Sequence, residues 1–296
     1  MSSKPACNIC GSSMFTVLFG ENVAQIHQIV KCKNCGLMYA FPLPVRNFNI
    51  YAAKSPTLSP LKRDDPPILH SLDKLPDYKS ISADLQKYIP KGRILDIGCS
   101  IGTFLHFLRE AGWEVMGVEL DACAVRFAHQ EFGLTILNDP VESLDSVQHH
   151  DSFDAVTMLH MIEHLDDPAS TLEVVWRLLK PSGVIVVETP MFDSLMFKLL
   201  RRRERSLSCN GHIFFYTVDT LSQLLARIGF EVIAWRKMGR TLSAGRLLWN
   251  LGVMSQKVTV QRSVQGVIDR LDLLRSGPRI HINMRDMVRI YSRRPF

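Results

Sequence analysis

One stretch, from Arg93 to Asp121, limits what this chain can fold into more than any other part of its sequence. It reads RILDIGCSIGTFLHFLREAGWEVMGVELD: an apolar strand ending near Asp96, a glycine-containing turn, a helix-period segment, and a second strand, Val115 to Val118, followed by Glu119. Such a strand–turn–helix–strand unit places a ligand outside the carboxyl ends of parallel strands. The two acids at neighbouring strand tips therefore predict a nucleoside-binding edge.

The turn after Asp96 distinguishes two cofactors. A dinucleotide requires G-x-G-x-x-G, because its pyrophosphate approaches bare backbone at a helix N-terminus. Counted from Gly98, the chain has Gly98, Ser100 and Thr103 there, so two of the three glycines are missing. With one Gly-to-Ser change, the turn resembles the D-x-G-x-G-x-G loop of S-adenosylmethionine-dependent methyltransferases, at Asp96, Gly98, Ser100 and Gly102. Glu119 suits the ribose of either cofactor; we favour S-adenosylmethionine over NAD, and over a unit without a ligand.

The length and composition are compatible with one large core and a small accessory module. The chain has 296 residues, of which 46% are hydrophobic and 22% charged; these values are ordinary for a globular protein. A net charge of +6 favours an anionic partner. No apolar run reaches the ~18 residues of a membrane span, and we see no secretory signal. With seven cysteines, these features predict a cytoplasmic protein that uses cysteines for metal rather than for disulfides.

Residues 1–45 are predicted to form a separate zinc ribbon. Two C-x-x-C pairs supply four thiolates, Cys7, Cys10, Cys32 and Cys35. Four cysteines at this spacing match a tetrahedral structural zinc site, in which the protein fills every position. A module this small would depend on its metal to fold. The alternative is a redox role for one of the pairs.

The rest of the chain is predicted to alternate strands and helices, which favours a parallel sheet. One of these helices is predicted from Asp121 to Phe132, with Gly133 ending it. Residues 153–168 read FDAVTMLHMIEHLDDP, and Leu179 to Gly183 reads LKPSG before an apolar strand. These segments resemble the methyltransferase pattern F-D-x-V, E-H-x-x-D-P and L-x-P-G-G. With the ribbon, the chain resembles class I methyltransferases of the zinc-ribbon type, and its core is similar to ubiquinone-biosynthesis O-methyltransferases. The resemblance implies an α/β fold: a doubly wound, mostly parallel, seven-stranded Rossmann-like sheet with a late antiparallel strand.

The expected domain organisation has three parts. Residues 46–76 are rich in proline and are predicted to be a connector or lid. Residues 77–296 are predicted to form the methyltransferase domain. Within it, strands are predicted at Phe230 to Lys237 and at Met287 to Ser292. Between them, amphipathic spacing at Leu242 to Met254 and Val264 to Leu274 predicts a helical insertion at about 241–284. We expect this insertion to select the substrate or to form a dimer contact.

Further cofactor-binding residues are predicted at the neighbouring strand ends. Leu120 follows the second strand tip, and Asp139 follows the third strand, where the adenine edge would be read. Val141 is expected to offer an apolar face to the ring, and His160 follows the fourth strand. The alternative for the segment around Asp139 is a simple turn.

Candidate catalytic residues follow the fourth strand, in His160-x-x-Glu163-His164. This spacing also matches the inverted-zincin signature, but Pro168 leaves little room for the long helix that such a site needs. In the ubiquinone-type enzymes the matching E-x-x-E-H can bind a divalent ion, and His160 replaces its first Glu, which weakens that interpretation. We predict that His164, with Glu163, orients or deprotonates the acceptor, with His212 as a second candidate base. The alternative is capping and packing.

The predicted function is methyl transfer from S-adenosylmethionine to an oxygen, nitrogen or carbon atom of a small molecule, or of a sugar or lipid on a carrier. Arg201 to Arg205 contains four arginines, which would suit an anionic acceptor, RNA or an anionic membrane surface; a solvated face is the plainer interpretation. An RNA methyltransferase and a non-catalytic cofactor-binding scaffold remain as alternatives.

Overall fold

The structure, a computed structural model, describes residues 7–20, 28–43, 74–208, 211–243 and 279–296. Its strands are β1 (Phe15–Phe19), β2 (Gln28–Cys32), β3 (Met38–Phe41), β4 (Arg93–Ile97), β5 (Glu114–Val118), β6 (Ile136–Leu137), β7 (Phe153–Leu159), β8 (Leu179–Pro190), β9 (Phe214–Phe215), β10 (Glu231–Ser243) and β11 (Arg279–Arg293). Its helices are α1 (Leu75–Leu85), α2 (Thr103–Glu110), α3 (Ala122–Phe132), α4 (Pro168–Leu178), α5 (Leu195–Leu200) and α6 (Val218–Ile228). Most of the predicted connector and most of the predicted insertion lie outside the described residues.

The main sheet has seven strands in the order β10-β11-β8-β7-β4-β5-β6. Strands β4 to β8 run parallel to one another, whereas β11 is antiparallel to both β8 and β10. Central strands such as β4 and β8 read as apolar runs because helices cover both faces of the sheet. The predicted doubly wound, mostly parallel, seven-stranded fold is confirmed.

Local sequence explains where the helices begin and end. Asp121 caps α3, since its carboxylate accepts hydrogen bonds from the Cys123 and Ala124 amides at 2.8 and 3.3 Å. Gly133 ends the same helix in the left-handed conformation. The predicted boundary at Gly133 therefore agrees with the structure.

Two strands are longer than predicted. The sequence predicted strands at 230–237 and 287–292, but β10 and β11 pair continuously from Glu231 opposite Arg293 to Ser243 opposite Arg279, apart from two irregularities in register. The predicted helix starting at Leu242 therefore begins inside a strand. Cross-strand pairing has overridden the local helical spacing there, as tertiary context often does.

The ribbon is joined to the main domain. Its sheet has the order β1-β2-β3-β9, and β9 comes from the far end of the chain, with Met38 opposite Phe215. Ribbon residues such as Cys7 and Leu37 belong to the same buried apolar cluster as Leu95 and Val156 of the main sheet. The ribbon was predicted as a separate module; in the structure it shares a sheet and a core with the rest.

Four hydrogen bonds also connect the first cysteine knuckle to the helices beside it. The Asn8 side chain donates to Asp167 at 2.9 Å and accepts from the Ala169 amide at 3.1 Å, at the N-terminus of α4. Arg227 of α6 donates to the Asn8 and Ile9 carbonyls.

Among the described residues, no helix is both long and apolar enough to cross a membrane.

Candidate active site

The turn after β4 needs glycine at two of its positions. Gly98 and Gly102 have φ values of 75° and 77°, which L-residues rarely adopt. A Cβ on Gly98 would lie 3.1 Å from the Met161 sulfur, and one on Gly102 would lie 2.6 Å from a Leu134 methyl carbon. Ser100 also has a positive φ, of 50°, but it is exposed. Because this position is open, a serine can replace the middle glycine of the loop.

Glu119 is held in place by backbone amides at the tip of β5. One carboxylate oxygen accepts from the Ser100 amide at 2.8 Å, and the other accepts from the Asp121 amide at 2.9 Å. The Asn138 side chain donates to the Glu119 carbonyl at 2.8 Å. Each carboxylate oxygen can accept a second hydrogen bond. Glu119 is therefore oriented by the glycine turn and is able to receive two further donors.

Asp96 is buried at the tip of β4. The Thr157 hydroxyl donates to it at 2.6 Å. Burial raises the pKa of Asp96 to about 7, against the opposing effect of the Thr157 hydrogen bond and with a further contribution from the negative charge of Glu119. A carboxyl group with this pKa is ready to ionise when a cation arrives beside it.

A cavity of about 260 Å³ lies at the carboxyl ends of β4, β7 and β8 and is closed on one side by α1. Of the predicted cofactor residues, Asp96, Gly98, Ser100 and His160 line it. The others do not line the cavity. Glu119 is hydrogen-bonded to the amide of the lining residue Ser100, whereas Gly102, Leu120, Asp139 and Val141 are further members of the predicted set outside the lining. Asp139 is exposed, and the Val141 side chain is buried in the main core. Most of the predicted loop residues therefore line the cavity, whereas the predicted adenine contacts, Asp139 and Val141, do not.

The cavity also contains charged residues that the sequence analysis missed. Glu188, at the end of β8, is buried and accepts from Arg289 of β11 at 2.7 Å. Its other oxygen lies 3.2 Å from His160 Nε2 and 3.7 Å from Lys74 Nζ. Burial by itself would raise the pKa of Glu188, but Arg289, followed by His160 and Lys74, holds that pKa well below its usual range. Glu188 lies at the end of an apolar strand, as Asp96 does, so the same search for an acid at a strand end would have identified it.

The three predicted catalytic residues lie together behind His160. Glu163 is fully buried; one of its oxygens accepts from Thr189 at 2.9 Å, and the other lies 3.9 Å from both His160 Nδ1 and His212 Nε2. The His164 and His212 rings meet edge to face, 4.7 Å between centroids. This cluster joins the segment after β7 to the segment before β9, although neither His164 nor His212 lines the cavity.

The arrangement of the Glu163 cluster supports two kinds of chemistry. Two imidazoles beside a buried carboxylate can exchange a proton with a bound hydroxyl group. The same three residues place one ligand atom each within 4.8 Å of the others, so a cation could also be held there. His160 connects this cluster to the cavity, since it approaches both Glu163 and Glu188.

Comparison with known proteins identifies the family. A model described as a methyltransferase domain matches residues 70–234, which is more than half of the chain. The chain belongs to the methyltransferase domain family. This membership agrees with the strand order and the glycine turn, and it confirms the predicted family.

The individual relatives match this methyltransferase over only part of its length and at modest sequence identity. It is 30% identical over 163 residues to a ubiquinone biosynthesis O-methyltransferase of Psychrobacter cryohalolentis, a match that covers 50% of this chain and 63% of the relative. A similar protein from Alkalilimnicola ehrlichii is 37% identical over 103 residues, covering 33% of this chain and 41% of the relative. The chain thus spans less than two thirds of these curated relatives.

Solved structures show the same fold. The phosphoethanolamine N-methyltransferase 2 of Haemonchus contortus, in complex with S-adenosyl-L-methionine, has a TM-score of 0.53 at 16% identity and covers 88% of this chain and 62% of its own. A possible histamine N-methyltransferase from Thermotoga maritima has a TM-score of 0.50 at 20% identity and covers 77% of this chain and 92% of its own. At these identities the likeness concerns the fold alone.

The four cysteines of the methyltransferase's ribbon are arranged as a metal site would require. The Cys7 and Cys35 sulfurs are 3.4 Å apart, the Cys10 and Cys32 sulfurs are 3.6 Å apart, and all four lie within 4.8 Å of one another. A tetrahedron of Zn–S bonds of about 2.3 Å has edges of roughly 3.8 Å. Backbone amides that follow the cysteines point at the sulfurs. The donor set therefore fits zinc.

The knuckles also have a buried polar neighbour. Burial raises the pKa of Tyr39 to about 12, and the nearby cysteines add to that effect. The Tyr39 hydroxyl has no hydrogen-bond partner within the described ranges. Tyr39 therefore lies near the cysteines without donating a hydrogen bond to any of the four sulfurs.

Proposed function

We propose that this chain is an enzyme that transfers a methyl group from S-adenosylmethionine to an oxygen of a small-molecule acceptor. The observation that supports this most is the cavity, which is bordered on one side by the glycine turn with Asp96 and on the other by His160 and Glu188, with the Glu163 cluster behind His160. The relatives named as O-methyltransferases favour oxygen among the predicted acceptor atoms.

The cofactor would be held by residues of the β4–α2–β5 unit. Glu119 would accept hydrogen bonds from the ribose hydroxyls, and the Gly98 turn would allow close backbone approach to the amino-acid end. Asp96 would lie near positive charge, while Lys74, the cation in the cavity lining, would suit a carboxylate. When bound, the cofactor supplies a methyl group on a sulfonium with a neutral leaving group, so alignment and exclusion of water become the main tasks of the protein.

The acceptor hydroxyl would lose its proton to the histidine cluster. His164 and His212 are the candidate bases, and Glu163 orients them and stabilises the imidazolium that forms. His160 would link this cluster to the cavity, because it lies beside both Glu163 and Glu188. A carrier-linked acceptor would use the same groups.

We also propose that the ribbon cysteines, Cys7, Cys10, Cys32 and Cys35, hold a structural zinc ion. With all four positions occupied by protein, this metal would take no part in the reaction. Its role would be to stabilise the sheet that β9 completes. We propose a cytoplasmic location, since free thiols persist in a reducing compartment.

Calorimetry on the zinc-loaded full chain tests the cofactor. We expect binding of S-adenosylmethionine and none of NAD, and Glu119→Ala should weaken binding by ~1–3 kcal/mol through lost charged hydrogen bonds. Glu119→Gln, which keeps one acceptor, should lose less. Tight NAD binding, or an unchanged affinity in Glu119→Ala, would contradict the assignment.

Turnover tests the reaction. With a panel of phenols and catechols, release of S-adenosylhomocysteine should fall ~10²-fold or more in His212→Asn or His164→Asn while cofactor affinity is kept, because general-base catalysis contributes about that much. His129→Asn, on the exposed side of α3, is the matched control. Cofactor binding without turnover on any small molecule, combined with salt-dependent tRNA binding, would favour the RNA alternative.

A further inference from the structure

The segment after β8 exposes apolar side chains on a helix. Leu195 and Leu199 of α5 are 70% and 69% exposed. Residues four apart lie on one face of a helix, so the two leucines form a single apolar patch. Isolated exposed leucines are common, but a pair on one short helix that is fixed in place is a candidate contact surface.

The other face of α5 is anchored. The Ser194 hydroxyl caps the helix by accepting from the Phe197 amide at 3.1 Å. The Phe197 ring packs edge to face against Phe192 and Phe19, with centroids 5.4 and 6.4 Å away. The ribbon and the end of β8 therefore hold α5 with its leucines pointing outwards.

Positive charge surrounds this apolar patch. Lys198 lies on α5, and the exposed residues Arg201, Arg202 and Arg203 form the 3₁₀ turn that follows. Two acids flank this segment: Asp193 is half-buried, with one carboxylate oxygen turned inwards, and Glu204 is buried, with its carboxylate accepting from the Ser206 and Leu207 amides at 2.6 and 3.3 Å. Because Glu204 is directed inwards, the outer surface keeps its positive charge.

We propose that α5 and Arg201–Arg203 form a docking surface for an anionic phospholipid bilayer. Leucines beside arginines match the boundary between acyl chains and anionic headgroups. RNA would satisfy the arginines but would leave both leucines in water, so the apolar patch decides for the membrane. The segment lies between Glu188 of the cavity and His212 of the catalytic cluster, so docking would bring a lipid-carried acceptor to the site; that last step rests on the proposed function.

Vesicle co-sedimentation of the zinc-loaded full chain tests the surface. We expect binding to vesicles of phosphatidylcholine with phosphatidylglycerol at least tenfold tighter than to phosphatidylcholine alone, weakening as salt rises. Leu195→Gln/Leu199→Gln and Arg201→Gln/Arg203→Gln should each weaken binding tenfold or more. Val147→Gln and Arg126→Gln, exposed changes elsewhere on the molecule, should not.

Three results would overturn the proposal: no vesicle binding by the wild type, equal binding by the leucine double variant, or competition by RNA that depends on the arginines but not on the leucines. Calorimetry with S-adenosylmethionine in the absence of vesicles separates this outcome from failure of the proposed function. Both double variants should keep wild-type cofactor affinity, which also shows that they are folded.

Discussion

The two halves of the proposed site are built in different ways. On the proposed cofactor side, Asp96, the glycine turn and Glu119 belong to one continuous stretch of chain, and backbone hydrogen bonds within that stretch orient Glu119. On the acceptor side, Glu163 and His212 come from distant segments, and β9, close to His212, is paired with the ribbon. The cofactor side is thus a local structure, whereas the acceptor side depends on long-range packing and, on our proposal, on a metal.

The largest effect should come from the cysteines. Cys32→Ser/Cys35→Ser should abolish zinc binding, whose apparent free energy is about 10 kcal/mol or more in small zinc modules. Hydrogen exchange should then rise in the ribbon and at residues 211–217, while calorimetry finds S-adenosylmethionine affinity changed little. Cys123→Ser, on α3, is the control. Equal loss on both sides of the cavity would show that they are not independent.

Gly102→Ala should be the largest single change on the cofactor side. Its positive φ costs roughly 1–2 kcal/mol for any L-residue, and crowding against Leu134 adds ~1–3 kcal/mol. Gly133→Ala is a matched control, since Gly133 has a φ of 58° but nothing within 4 Å of an added Cβ. Urea unfolding should therefore show the larger loss for Gly102→Ala; equal losses would mean that the contact with Leu134 is unimportant.

Asp96 should make cofactor binding depend on pH. Because its pKa is raised to about 7 in the unliganded protein, a cationic ligand must displace a proton below pH 7, and affinity should fall by up to tenfold, or ~1.4 kcal/mol, per pH unit. The raised pKa also means that the stabilisation present at low pH is lost as pH rises through 7. Asp96→Asn should remove both dependences; calorimetry and thermal unfolding from pH 5 to 9 measure them.

The smallest effect should come from Asn8. Asn8→Ala removes the hydrogen bonds between the first knuckle and the start of α4, so we expect a loss of about 1 kcal/mol. If the ribbon is as closely joined to the main domain as the shared core indicates, thermal unfolding should remain a single transition at a lower temperature. A separate early transition in Asn8→Ala would instead indicate a weakly attached ribbon.

The sequence predicted the local structures well because each has a local cause. The strand tips at Asp96 and Glu119 and the end of α3 at Gly133 all depend on neighbouring residues. The spacing of the cysteines likewise predicted the cluster of four sulfurs.

Other features depend on pairing between distant residues and gave no local signal. The ion pair between Glu188 and Arg289 exists because β11 lies beside β8. A two-residue strand such as β9 is too short to show a period of two. The association of the ribbon with the acceptor side was therefore not predictable from spacing.

The pairing of β3 with β9 has a consequence for biosynthesis. Both cysteine knuckles leave the ribosome early, whereas Phe214 and Phe215 follow after all of the parallel strands, β4 to β8. Until they emerge, the hydrogen-bonding edge of β3 stays open, and open edges pair with strands of other chains. Since domains fold from the N-terminus as they are translated, the nascent ribbon is the part of this chain most in need of protection from such pairing. If the ribbon holds the zinc that we propose, the supply of metal during translation should influence how much of the protein reaches its folded state.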